Sequence, residues 1–219
     1  MATNLLTVQD YRNTSFNDND FLLGEKKIKF MEDFKLDHPQ VKNIYNTIKN
    51  RDNKFNAQFR SIYYEKCAYC GVNTQVIDSS RFEVDHVVPA SVLKLGLGYS
   101  DEFINGIDNL VNSCHMCNRG KSNFLCEEES LNLLHPDNNN LPQIFWRSDD
   151  YSIEINEVYI DNLVIKEFYD KLKLHNQLRR IDYLLMEMKD FCEKHEGEQI
   201  IDKIQKLITR IESKRRRNY

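Results

Sequence analysis

Two Cys-x-x-Cys pairs, Cys67/Cys70 and Cys114/Cys117, separated by 43 residues, constrain this chain more than any other feature. Such a turn sets two thiolates side by side and fills half a tetrahedron. A second pair completes it, at the roughly 2.3 Å metal–sulfur distance that suits zinc. Met1-Ala2-Thr3-Asn4 has no basic stretch leading into an apolar one, so export is not expected. In a chain without export, paired Cys-x-x-Cys reads as zinc, not disulfide. Gly71, following Cys-Ala-Tyr-Cys, is expected to turn the chain sharply. The alternative is four buried free cysteines, and Cys126 and Cys192 stand alone. The spacing exceeds that of a common zinc ribbon, so the metal would staple the base of a long β-rich excursion.

The chain has 219 residues, enough for one ordinary domain, or a small domain with a long extension. Hydrophobic residues at 41% and charged residues at 29% indicate a folded soluble protein. No apolar run approaches the roughly 18–20 residues of a membrane span, and a cytoplasmic location is expected. The net charge of −4 argues, taken alone, against nucleic acid. Residues 200–219 differ, with seven Lys or Arg against Asp202 and Glu212. Such a run either touches phosphates or is a solvated helix end.

Three stretches follow. Residues 1–63 are expected to be mostly helical, with stripes Val41, Ile44, Tyr45, Ile48 and Phe55, Phe59, Ile62, Tyr63. Residues 1–30 within them are Asn- and Asp-rich and show no clear pattern. Residues 64–126 hold the cysteines, a strand-like run over 81–88 and a helix expected to start near Cys117. Residues 127–219 open irregularly, with a short strand near Tyr151–Ile155. Three helices follow, carrying Val164, Phe168, Leu172, then Leu178, Ile181, Leu185, Met188, then Ile200, Ile201, Ile204, Leu207, Ile208, Ile211. The C-terminal helices read as scaffold or partner surface. The fold class expected is α+β.

Inside the cysteine-framed loop stand Asp85-His86 on the strand, Asn109 in Asp-Asn-Leu, and Asn118 next to Cys117. Alternation puts Asp85 and His86 on opposite faces unless the strand bends. The Asp85 carboxylate and Asn118 amide oxygen are hard ligands suited to Mg²⁺. His86 is a candidate general base for a water attacking phosphorus, which would make a one-metal phosphodiester hydrolysis. Taken singly, Asp85-His86 is a surface pair, Asn109 a turn residue and Asn118 a helix cap. His115 reads as a solvent-facing turn residue and Cys126 as packing.

Cys-Ala-Tyr-Cys-Gly, Glu-Val-Asp-His-Val-Val-Pro, Asp-Asn-Leu-Val and Ser-Cys-His-Met-Cys-Asn-Arg-Gly-Lys, in that order, resemble the HNH or ββα-metal nucleases over about residues 64–125. The resemblance implies a ββα-metal core framed by a four-cysteine structural zinc site, with helical regions before and after it. It implies that His86 is the general base, that Asp85 and Asn118 hold a catalytic Mg²⁺ or Mn²⁺, and that Asn109 tethers the loop. Many members have His where this chain has Asn118. Arg119 and Lys121 are candidates to grip the scissile phosphate. The substrate implied is DNA, with RNA also possible. Leu134-His135-Pro136, residues 152–156 and residues 172–180 are also similar to HNH proteins paired with an ABC- or AAA-type ATPase in anti-phage systems such as Septu and its retron-linked relatives. The alternatives are a stand-alone restriction endonuclease and a non-catalytic zinc-stabilised nucleic-acid-binding module.

Overall fold

The computed structural model describes residues 9–217, so the start of the chain on which the export reading rests lies outside the described residues. Helix α1 (Gly24–Asp37) arises within the stretch that shows no sequence pattern, and buries Lys27, Phe30 and Phe34 along one face. Helices α2 (Ile44–Ile48) and α3 (Lys54–Ile62) are capped by the side chains of Asn43 and Asn53. Each cap satisfies a backbone N–H that the first turn leaves without a partner. The α3 stripe of Phe55, Phe59 and Ile62 is buried as expected. Val41 is not part of its stripe: it precedes α2 and is 40% exposed.

Strand β1 (Phe82–His86) pairs antiparallel with β2 (Leu110–Cys114), Phe82 opposite Cys114 and His86 opposite Leu110. The long connection between them contains the short helix α4 (Asp101–Ile104). Helix α5 (His115–Lys121) follows β2 directly, with Cys114 at its N-cap. It therefore starts two residues before Cys117, and Asn118 sits inside the helix instead of capping it.

The stretch expected to open irregularly contains α6 (Glu128–Leu134) and α7 (Leu141–Ile144), and its expected short strand is present as β4 (Ile153–Ile155), paired antiparallel with β3 (Phe145–Arg147). Helix α8 (Leu163–Lys171) leads to a hairpin of α9 (Gln177–Lys194) and α10 (Ile201–Arg217). Gly197, at φ +90°, supplies the left-handed turn between the last two.

One hydrophobic core joins all three stretches, from Phe30 and Phe59 through Val84 and Val111 to Phe145 and Phe168. Helix α8 presses so closely on α5 that a Cβ on Gly120 would lie 2.1 Å from the Lys171 carbonyl oxygen. The C-terminal stripes depart from expectation. Helix α9 buries Leu178, Leu185 and Met186 together with Arg179, Asp182 and Asp190, while Ile181 and Met188 are only half-buried. Helix α10 buries Ile201 and Arg215, and leaves Leu207 47% exposed.

Candidate active site

The cysteine knuckle is built from backbone first. Cys67 N donates to Val72 O at 2.8 Å and Gly71 N to Cys67 O at 2.9 Å, which closes the turn. Gly71 stands at φ +78°, and a Cβ there would meet the Arg12 carbonyl oxygen at 2.5 Å, so glycine is required twice over. Cys114 ends β2 and Cys117 lies in the first turn of α5, which brings the second pair to the first. The four sulfurs lie within 4.8 Å of one another and are buried. A tetrahedron with 2.3 Å metal–sulfur bonds has edges of about 3.8 Å. The Cys70–Cys114 sulfur separation is 3.8 Å, so the thiols fit zinc.

Helix α9 completes this centre, a contact that the reading of the C-terminal helices as scaffold or partner surface did not include. Arg179 donates from Nη1 to Cys70 Sγ and from Nη2 to Cys117 Sγ, both at 3.0 Å. Nη2 also donates to Leu172 O at 3.0 Å. Burial works against the guanidinium charge, but the surrounding thiolates outweigh it and raise the Arg179 pKa well above its usual value. Burial likewise pushes the Cys70 and Cys117 thiols up, while hydrogen bonds with Cys117, Cys67 and Cys70 hold the Cys114 thiol well below its usual value.

The β1–α5 face is built from side chains. Alternation along β1 sends Glu83 and Asp85 to the side covered by α5, where His115, Asn118 and Lys121 recur every third residue. Glu83 accepts from Asn118 Nδ2 at 2.6 Å and pairs with His115 Nδ1 at 3.1 Å. His115 is thus a helix residue in contact with Glu83, not a solvent-facing turn residue. Asp85 accepts from Tyr69 Oη at 3.2 Å and faces Lys121 Nζ at 3.5 Å. Burial raises the Asp85 pKa to about 6, partly offset by Lys121 and Tyr69. Lys121 is 2% exposed and also donates to His86 O at 2.8 Å. Its ammonium points into the protein, which corrects the expectation that it reaches outward to a phosphate. Arg119 is exposed on the same helix.

His86 has partners of its own, Asn105 and Tyr45, distinct from those of Asp85. Its Nε2 lies 3.1 Å from Asn105 Oδ1 and its ring packs against Tyr45, centroids 4.2 Å apart. Asn105 Nδ2 donates to Asp101 Oδ1 at 2.9 Å, which turns the amide oxygen toward His86. The His86 Nε2 therefore carries the proton, and Nδ1 carries the lone pair. Burial lowers the His86 pKa, and Lys121 and Lys49 add to the effect against the Asn105 bond. Asn109 closes the loop beyond it. Its Oδ1 accepts from Val88 N at 2.7 Å, and its Nδ2 donates to Val88 O and Ile104 O at 3.0 and 2.8 Å.

Glu83, Asn105, Tyr45 and Arg179 were missed from sequence. Only Glu83 carried a signal, standing two residues before Asp85 on a strand. The oxygen donors of Asp85, Glu83 and Asn118 are of the hard type that suits Mg²⁺ or Mn²⁺. The Lys121 ammonium faces Asp85 at 3.5 Å, so an ion bound there would share the carboxylate with it.

No curated protein and no solved structure matches the chain. A family model does match it, and the cysteine pairs, the β1–β2 hairpin and α5 all fall inside the matched span. The chain carries, at residues 67–124, an HNH endonuclease domain.

Proposed function

We propose that this protein is a divalent-ion-dependent endonuclease that hydrolyses DNA phosphodiester bonds, with His86 as general base. The HNH domain supports nuclease activity on nucleic acid. The observation that carries the residue assignment is the state of His86. Its imidazole is fixed by Asn105 and Tyr45, and burial keeps it neutral at pH 7, with the Nδ1 lone pair available. A neutral imidazole with an oriented lone pair is what a general base requires. In this reading Nδ1 takes the proton from the attacking water, and Asn105 acts as a positioning residue by holding Nε2–H.

Asp85 and Asn118, with Glu83 beside them, would hold the Mg²⁺ or Mn²⁺ ion. When bound, that ion supplies electrostatic stabilisation of the phosphate and leaving oxygens. Lys121 fixes the Asp85 carboxylate, and Asn109 holds the loop that carries Asn105. Arg119, exposed on α5, would meet phosphate in this reading. A role in anti-phage defence beside an ABC- or AAA-type ATPase rests on the resemblance of residues 134–136, 152–156 and 172–180. Co-purification with such an ATPase encoded beside it tests that role.

The test of the nuclease reading is incubation of the pure protein with plasmid DNA, with and without Mg²⁺. Wild type cuts only with the ion. His86→Ala loses about 10²–10⁴-fold in rate, while fold, zinc content and DNA binding stay as in wild type. Undiminished cutting by folded His86→Ala protein returns the chain to a zinc-stabilised binding module.

A further inference from the structure

We infer that the cleft between α5 and the end of α10 binds the phosphodiester backbone of the nucleic acid, an inference that takes its substrate class from the nuclease reading above. The cleft encloses about 880 Å³ and lies beside the β1–α5 face. Asp85, His86 and Asn118 do not line it, whereas His115 belongs to both. Arg81 stands on one wall just before β1, Arg119 rises from α5, and Arg215 and Arg216 come from α10. Lys173 completes the basic set, against Asp78 and Glu212.

The chain as a whole is −4 and repels phosphates at a distance. A backbone must therefore be collected by a local field, and a recess with low-dielectric walls concentrates one. Of the two carboxylates in the cleft, Glu212 pairs with Lys189 of α9 at 2.7 Å and lies 3.9 Å from the exposed Arg216. Arginines also suit phosphate oxygens, because the planar guanidinium offers paired donors.

The α10 wall is tied through α9 to the cysteine centre. Arg215 Nε donates to Asp182 Oδ1 at 2.5 Å, with both groups buried. Asp182 lies one turn beyond Arg179 on α9, and Arg179 is bonded to Cys70 and Cys117. The cysteine centre thus anchors the helix hairpin that forms the far wall of the cleft. A wall ordered before binding spares the ligand the entropy of ordering it.

The test is fluorescence anisotropy with short labelled duplex and single-stranded DNA, without added divalent ion, across a salt series. Arg81 and Arg216 are both exposed and line the cleft from different elements, so Arg81→Gln/Arg216→Gln protein is expected to fold and to keep its zinc. Its slope of log affinity against log salt should fall by about 1.8 on duplex, at about 0.9 per phosphate contact. Lys29→Gln/Lys35→Gln protein, altered on exposed α1 positions outside the cleft, should keep the wild-type slope. An unchanged slope in the arginine variant on both DNA forms, an equal loss in the lysine variant, or no binding by wild type overturns the inference. Slope loss in a protein that leaves plasmid intact in Mg²⁺ keeps the cleft and sinks the nuclease reading. Cut plasmid with unchanged slopes does the reverse.

Discussion

The HNH domain contains two polar centres that share α5 and are built in opposite ways. The cysteine centre is closed. Its ligands come from tight backbone turns, its sulfurs are buried, and its charge is met by Arg179 from a distant helix. The β1–α5 face is made of longer side chains bridging a strand and a helix, with Glu83 and His115 partly buried at its edge and Asp85 and Lys121 buried behind them. The first arrangement fits a structural metal, which gains by excluding water and competitors. The second fits chemistry, which needs access for water, ion and substrate. The contrast separates what holds the domain together from what would work in it.

The largest expected effect comes from breaking the closed centre. Cys70→Ser should give unfolded or aggregated protein, because structural zinc binding contributes folding free energy directly. Metal analysis of the soluble fraction and circular dichroism check it. Soluble, folded, zinc-free protein would contradict the structural role of the metal.

On the open face the effect should fall on rate and leave the fold intact, but the choice of variant matters. Asp85 and Lys121 form a buried pair, and truncating one partner leaves the other charge uncompensated, at a cost of about 3–5 kcal/mol. Asp85→Asn keeps the shape and a hydrogen-bond acceptor for Lys121 but also removes the charge, so its denaturant melt is read beside its rate. Its cleavage should recover in part as Mg²⁺ or Mn²⁺ is raised, whereas His86→Ala should not respond. Equal behaviour of the two variants across the metal titration would show that the two residues do not have separate roles.

Arg179→Met tests whether the closed centre depends on its outer partner. Loss of a hydrogen-bonding group beside a metal ligand costs about 10–100-fold in metal affinity. Competition with a chelator should therefore strip zinc from the variant at correspondingly lower concentration. Zinc affinity equal to wild type would make Arg179 a packing residue only.

The smallest effect sharpens the comparison at the helix both centres share. Gly120→Ala forces a methyl against the Lys171 carbonyl and should destabilise the protein by about 1–3 kcal/mol, as overpacking does. Denaturant melts read this directly. An unchanged midpoint would mean that α8 can move away from α5 without cost.

Local chemistry was legible in the sequence. The paired cysteines, the turn at Gly71 and the strand ending in Asp85-His86 are all set by neighbours a few residues apart. The α3 stripe was legible for the same reason, since the helical period is a property of its own nine residues. The start of α5 was misjudged because β2 runs into it without a turn, and Cys114 is an uncommon cap. The α9 stripe was misjudged because its buried face includes Arg179, Asp182 and Asp190, which hydropathy assigns to solvent. Burial of those groups depends on partners elsewhere in the chain.

The sequence by itself determined the four-cysteine cluster, the Asp85-His86 strand and the HNH order of motifs. Each of these rests on spacing along the chain and on side-chain chemistry that no fold can alter. Only the tertiary structure decided that Lys121 turns inward to Asp85, that Asn105 orients His86, and that Arg179 closes the cysteine centre. The physical reason is range. Arg179 meets Cys70 across 109 positions and Asp85 meets Lys121 across 36. Such pairings become favourable only once packing has removed water and left each charge in need of a partner.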